Sequence, residues 1–365
     1  MSSELNLKIT RLNTLMDSKS LDAVVLQRIS SFAWATGGAH GYVGIATTNG
    51  PVQLVIKRNG EHYFVTNNIE APRLIDEDKM LEHGWQLIQT HWHDGGQGTA
   101  DLVHGLRVGS DGTWAGAIDI SADIGLLRMS LTAPEVARFR ELGQLCASAI
   151  RDAAFGVRPG QSEMHIAGLL AYECQRRGVQ AFVNLIATDE RIFKYRHPLP
   201  TDKSLERYAM LVLTGRKWGL CCSVSRLIHF GPVPTDIQRR IEAVAHVDAA
   251  LIGSSVAGNT LAQALQNGIN AYAKCSFADE WRYHHQGGLT GYEAREMQAK
   301  LTSTLPLAAN YVAAWNPSIS GAKAEDTVLL NDTTPQILTL TPEWPVIQAE
   351  FNGQIWERPG ILVQN

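Results

Sequence analysis

Apolar residues recur at helical spacing near the start of the chain, where Leu5, Leu7, Ile9, Leu12, Leu15 and Met16 predict an amphipathic helix over residues 5–17. Leu21-Asp-Ala-Val-Val-Leu-Gln27 then reads as a short buried strand. Further strands are expected at 44–46, 52–56 and 62–66, each bounded by Gly or Asn, followed by a helix over 68–76 and a strand over 86–90. Helices and short apolar strands mixed within about 130 residues predict an α/β unit with a mostly buried sheet. Ser31-Phe-Ala-Trp-Ala-Thr-Gly-Gly-Ala-His-Gly-Tyr42 stands apart as an aromatic, glycine-rich loop with the composition of a contact surface. His91-Trp-His93 has a spacing that suits a metal, but no third ligand lies close in sequence, so a surface turn is expected.

A boundary falls near residue 131. Thr132 is placed as an N-cap, with Pro134 and Glu135 in the first turn and Val136, Phe139, Leu142 and Leu145 keeping helical period. A second helix is predicted over 162–177, strands over 181–188, 209–214 and 220–227, and helices over 235–255 and 260–273. The densest chemistry follows. Residues 281–296 bring together His284, His285, three glycines, Tyr292 and the carboxylates Glu293 and Glu296, and Asn316-Pro317 leads on to Glu325-Asp326 at the head of an apolar strand over 327–330. Adjacent histidines beside carboxylates suit proton transfer near neutral pH. Strand-end histidines and a solvated Glu293–Glu296 pair are the bland alternatives.

Composition narrows the partners. A chain of 365 residues exceeds what one core organises, so two domains are expected. A net charge of −4 gives no field for nucleic acid or anionic membrane. No apolar run is long enough for a membrane span and no secretory pattern opens the chain, so a cytoplasmic protein is expected. Five irregularly spaced cysteines, with Cys221 and Cys222 adjacent, read as reduced thiols.

In order and spacing, the paired helices from Glu135 and Ser162, the histidine of Arg196-His-Pro198, the hairpin ending Ser-Val-Ser-Arg226, His284-x-x-Gly-Gly-x-x-Gly291 and Asn316-Pro-Ser-Ile-Ser-Gly-x-Lys-x-Glu-Asp-Thr327 resemble the pita-bread family of creatinase, prolidase, aminopeptidase P and methionine aminopeptidase. The resemblance implies an α/β (α+β) protein, with a creatinase-like N-terminal α/β domain over 1–130 and a pita-bread catalytic-like domain over 131–365. The family's peptidases hold two divalent ions with two aspartates, a histidine and two glutamates. The corresponding positions here are Val212, Ser223, Gly288, Asn316 and Glu325, of which Glu325 alone keeps its type.

The pattern is therefore similar to creatinase, a metal-independent hydrolase of a C–N bond, and no cofactor is expected. The resemblance implies His284 as acid/base, His197 on the facing loop and Glu325 as orienter or water-positioning carboxylate; His285 either orients His284 or faces away. Arg226, Asn316, Tyr292, Glu293 and Arg73 are the implied substrate-binding residues, Arg226 being equally suited to an ion pair that closes its hairpin. A homodimer is implied, with residues 32–42 and 67–73 reaching the partner's cleft and Arg73 as a trans contact. Three classes follow: a metal-independent hydrolase of small amino-acid-like substrates, a lyase or other proton-transfer enzyme using the same histidines, and a non-catalytic binding protein. An Xaa-Pro metallopeptidase is a fourth, for which the ligand set is missing.

Overall fold

The computed structural model describes residues 3–365, which divide into two compact units, one up to Glu135 that also takes in Trp218–Leu220, the other comprising Val136–Lys217 and Cys221–Asn365. Each is an α/β assembly. In the first, α1 (Ser3–Lys19), β1 (Ala23–Arg28), α2 (Ile29–Thr36), β2 (Asn49–Lys57), β3 (His62–Asn67), α3 (Ala71–Asp76), β4 (Gln86–Thr90), α4 (Gly98–Leu102), β5 (Val108–Ser110), β6 (Ile118–Asp119) and α5 (Ser121–Met129) build one mixed sheet of order β4-β3-β2-β1-β5-β6.

Three expectations change here. The stretch 31–42 is not an open aromatic loop: Ile29–Thr36 is helical, and Phe32 and Trp34 are at most 1% exposed, so their apolar surface is core and not a contact face. Gly37, at φ 77°, ends the helix, and the one fully exposed residue of the stretch, His40, follows it. Residues 44–46 form an exposed turn, because a three-residue run without a neighbouring strand has no ladder to join. The helix expected from residue 68 starts at Ala71, since Asn67 Oδ1 accepts from the N–H of Ile69 and of Glu70 and holds that segment as a turn. His91, Trp92 and His93 form the surface turn expected of them.

The second unit comprises α6 (Ala133–Gly156), α7 (Glu163–Gln175), β7 (Gln180–Thr188), α8 (Glu190–Lys194), β8 (Tyr208–Lys217), β9 (Leu220–Phe230), α9 (Thr235–Gly253), α10 (Leu261–Lys274), a 3-10 turn (Glu280–Tyr283), β10 (Gly287–Thr290), β11 (Met297–Gln298), β12 (Val312–Trp315), β13 (Ser318–Ile319), β14 (Ala322–Lys323), β15 (Asp326–Leu329), β16 (Gln336–Ile337), β17 (Val346–Phe351), β18 (Gln354–Pro359) and β19 (Ile361–Gln364). The start of α6 is a capping box: Thr132 N–H and Oγ1 donate to Glu135 Oε2 at 2.7 and 2.8 Å, and Glu135 N–H returns to Thr132 Oγ1 at 3.4 Å. Two sheets, β19-β9-β8-β7 and β11-β10-β12-β15-β16, are joined where Ser225 N–H donates to the Glu325 carbonyl at 3.1 Å.

A buried charge network locks the back of this junction. Arg358 pairs with Asp248 at 2.7 Å and with Asp326, and Arg226 reaches Asp326 at 2.9 Å, with all four side chains at most 2% exposed. The five cysteines are free thiols. No described helix is long and apolar enough to cross a membrane.

Candidate active site

Two backbone devices place the histidines. The 3-10 turn Glu280–Tyr283 delivers His284 and His285, and Gly287 and Gly288 then follow at φ 111° and 148°. A Cβ on Gly287 would lie 2.2 Å from the Ala314 carbonyl oxygen, and one on Gly288 2.1 Å from that of Met297, so β10 comes this close to β12 and β11 only because both residues are glycine. The facing loop carries His197. Asp189 anchors it by accepting N–H bonds from Glu206, Arg207 and Tyr208, each at 2.9 Å, and Glu163 binds Arg191 and Thr201. The Arg196–Glu280 ion pair ties this loop to the turn before His284.

His284 Nε2 and His197 Nε2 meet at 3.1 Å, and Ser318 Oγ holds the other His284 nitrogen at 3.0 Å. The His285 ring lies 4.7 Å from that of His284 and 5.5 Å from that of His197, centroid to centroid, so it turns toward the other two. Tyr272 on α10 supports the arrangement from behind: its hydroxyl accepts from Ser318 N–H at 2.9 Å and lies 2.8 Å from Gln286 Oε1, while Gln286 Nε2 donates to the His284 carbonyl.

Strand register places the charged groups. Trp315 pairs with Asp326 and Ser318 with Lys323, which sets Asn316 opposite Glu325 between them. Alternation then puts Asn316, Ser318, Lys323 and Glu325 on one face. Glu325 is 3% exposed; its Oε2 accepts from Ser225 Oγ at 2.6 Å and meets Lys323 Nζ at 3.0 Å, and its Oε1 lies 3.5 Å from Arg295 Nη2. Asn316 is equally buried, and its Oδ1 has no hydrogen-bond partner.

Electrostatics keep the imidazoles neutral. Burial pushes His284 far below the ordinary histidine range, reinforced by the nearby Lys323, His285, His197 and Arg196 charges. Burial and the Arg295 guanidinium bring His285 down to about 4, with Glu325 opposing. His197 is lowered by burial and then by Lys323, against the pull of Glu325. Burial disfavours the Glu325 carboxylate, but Lys323, Arg295 and Ser225 outweigh it and hold the group below its ordinary value. The result is neutral bases facing an ionised, cation-bound carboxylate.

The remaining expected residues lie elsewhere or serve differently. Arg226 donates to Asp326, to the carbonyls of Ser225, Glu325 and Thr339 and to Thr341 Oγ1, so its fork is spent inside the protein and it closes the hairpin instead of offering a substrate anchor. The segment of Glu293 and Glu296 is not helical; Glu296 Oε1 accepts from the N–H of Tyr292 and of Glu293 and shapes the loop. Tyr292 is buried, and Glu293 serves through its carbonyl, which accepts from Thr290. Arg73 lies in the first unit, paired with Glu70 and Asp78.

Sequence reasoning missed Lys323, Arg295, Ser225 and Ser318. Lys-x-Glu at the start of a strand was a usable signal for Lys323, because residues two apart share a face. Arg295 had no such signal. Beside the histidines a hollow of about 540 Å³ is lined by Trp281, Tyr283, Leu265 and Leu301 together with His284 and His285.

Residues 137–332 match the model of the metallopeptidase family M24. The chain is 22% identical over 381 residues to an uncharacterised peptidase, YqhT, of Bacillus subtilis, covering 93% of this chain and all of that protein. Among solved structures it is similar to the Xaa-Pro dipeptidase from Bacillus anthracis, with TM-score 0.79, 18% identity and coverage of 99% of this chain and 100% of that one. It is also similar to the prolidase from Pyrococcus horikoshii, with TM-score 0.78, 17% identity and coverage of 92% and 98%. The N-terminal domain of the FACT complex subunit SPT16 from chickpea shares the fold as well, with TM-score 0.69, 13% identity and coverage of 94% and 98%.

Proposed function

The chain belongs to metallopeptidase family M24, and on that premise we propose that it hydrolyses a C–N bond of a small amino-acid-like substrate with His284, His197 and Glu325, side chains taking the place of the family's metal pair. The observation that carries the reading is the 3.1 Å contact between two neutral imidazoles, His284 and His197, next to an ionised Glu325. His284, held through one ring nitrogen by Ser318, exchanges its Nε2 contact with His197 for the attacking water, takes a proton from it at Nε2 and returns that proton to the leaving nitrogen. Lys323 and Arg295 carry one positive charge more than Glu325 balances, which favours negative charge building on a carbonyl oxygen. Glu325 partly offsets these cations at His285 and His197.

The residues at the family's ligand positions do not fit two divalent ions. Such ions need several anionic oxygens or imidazoles converging on one point. Val212 offers no donor, Gly288 no side chain, the Ser223 hydroxyl is 2.9 Å from Thr214 Oγ1, and Glu325 already binds two cations and a hydroxyl. Asn316 adds one neutral amide.

The test is a screen of N-substituted amino acids, guanidino and ureido acids and dipeptides against chelator-treated protein. Turnover that survives chelation supports the reading, and turnover that appears only with added Mn²⁺ or Co²⁺ overturns it. A lyase would use the same histidines and is told apart by its products. The committed state of Glu325 favours a second reading, a binding protein without catalysis, for which binding without turnover is the expected result.

The same proposal places the protein in the cytoplasm as a homodimer. Val43 and Ile69 of the first unit, 71% and 60% exposed, are among the apolar residues available for pairing, whereas Phe32 and Trp34 are core.

A further inference from the structure

His197, His284 and His285 are the one group of potential metal ligands found among the described residues, each with a ring nitrogen within 4.8 Å of the others. Two observations go beyond proximity. Ser318 Oγ fixes one nitrogen of His284 and leaves Nε2 toward His197, the arrangement by which a neighbouring hydrogen bond aims a ligating imidazole. His285 Nδ1 is buried with no hydrogen-bond partner, an unmet need that a ring rotation onto an ion would relieve.

The spacing suits a small ion. Bonds of about 2.0–2.1 Å to a tetrahedral Zn²⁺ put ligand nitrogens about 3.4 Å apart, close to the 3.1 Å already found between His197 and His284. Neutral imidazoles suit Zn²⁺, Cu²⁺ or Ni²⁺ and not Mg²⁺ or Ca²⁺. Charge sets the strength. Arg196 is offset by Glu280, but Lys323 and Arg295 share the single carboxylate of Glu325, so a surplus positive charge faces the site and makes binding reversible.

We propose that His197, His284 and His285 form a site for one late-transition-metal ion, with ligands different from those of the family's carboxylate-rich pair, and that the ion inhibits by occupying the lone pair His284 needs for proton transfer. Binding stands independently of the hydrolase reading; only the inhibition rests on it.

The experiment titrates the chelator-stripped full chain with Zn²⁺ by calorimetry and follows Co²⁺ by its visible absorption. A single ion per chain is expected, with intense bands of four- or five-coordinate Co²⁺. His285→Ala and His197→Ala lower the affinity at least about ten-fold, and Ser318→Ala by about 10–100-fold. His91→Ala, in the exposed stacked pair with His93, leaves it unchanged. Thermal melts confirm that each variant is folded, and His285→Gln replaces any that is not. Absence of Zn²⁺ uptake by the unmodified chain, or uptake equal in the His197 and His285 variants, overturns the site. Zn²⁺ uptake at these residues without loss of turnover overturns the inhibition and the role of His284 while leaving the site standing.

Discussion

Lys323 Nζ lies 3.0 Å from Glu325 Oε2, with both side chains at most 4% exposed. The two residues share one face of a ladder whose register also puts Asn316 opposite Glu325, so an ammonium is bonded to the carboxylate inside the protein. Breaking a buried pair from one side strands the other charge. Glu325→Gln leaves Lys323 and Arg295 without a counter-charge and is expected to cost about 3–5 kcal/mol of stability. Adding Lys323→Met recovers part of the loss. Denaturant unfolding of both single variants and the double gives the coupling; additive losses contradict the pairing.

Turnover depends on His284 in this account. His284→Ala removes about two to four orders of magnitude from kcat, the usual weight of general acid–base catalysis, with the far-ultraviolet spectrum unchanged. A variant with near-normal kcat transfers the role to His197 or His285. Arg226→Lys, in contrast, acts on stability and not on KM, because every bond of the guanidinium is internal.

Stability falls in mild acid. His284 and His285 have folded values well below the ordinary 6.5, so the unfolded chain binds more protons as pH drops, and solvent-exposed His197 adds less. The contribution of His284 and His285 is complete above about pH 6.5 and is lost as pH falls; for His285 the window closes near pH 4. Each unbound proton adds about 1.4 kcal/mol per pH unit to the slope. Melting curves between pH 7.5 and 4.5 are expected to flatten in His284→Ala. A slope equal to that of the unmodified chain contradicts the buried neutral state.

Gly288 leaves no room for a side chain. At φ 148°, with a Cβ 2.1 Å from the Met297 carbonyl oxygen, Gly288→Ala costs more than about 1 kcal/mol, and Gly288→His does not create a metal site. Normal stability of Gly288→Ala by chemical unfolding contradicts the close approach.

Much of this was legible in the chain. The cap at Thr132, the paired histidines and the strand after Glu325 carry local signals, caps and periodicity, that survive folding. What was misread depended on contacts distant in sequence. Phe32 and Trp34 look like a sticky loop until α2 buries them, and Arg226 looks like a ligand anchor until Asp326 and Thr339 take its donors. Arg295 had no local signal at all, because its meaning lies in Glu325, thirty residues on. Lys323 could have been found from the two-residue period alone.

The central claim is that His284, and not a metal pair, moves the proton. Its most direct test is turnover of the first accepted substrate by the chelator-stripped protein before and after metal is returned. The account predicts full activity after stripping and a decline on adding Zn²⁺. Activity lost on stripping and restored by Mn²⁺ or Co²⁺ would contradict it.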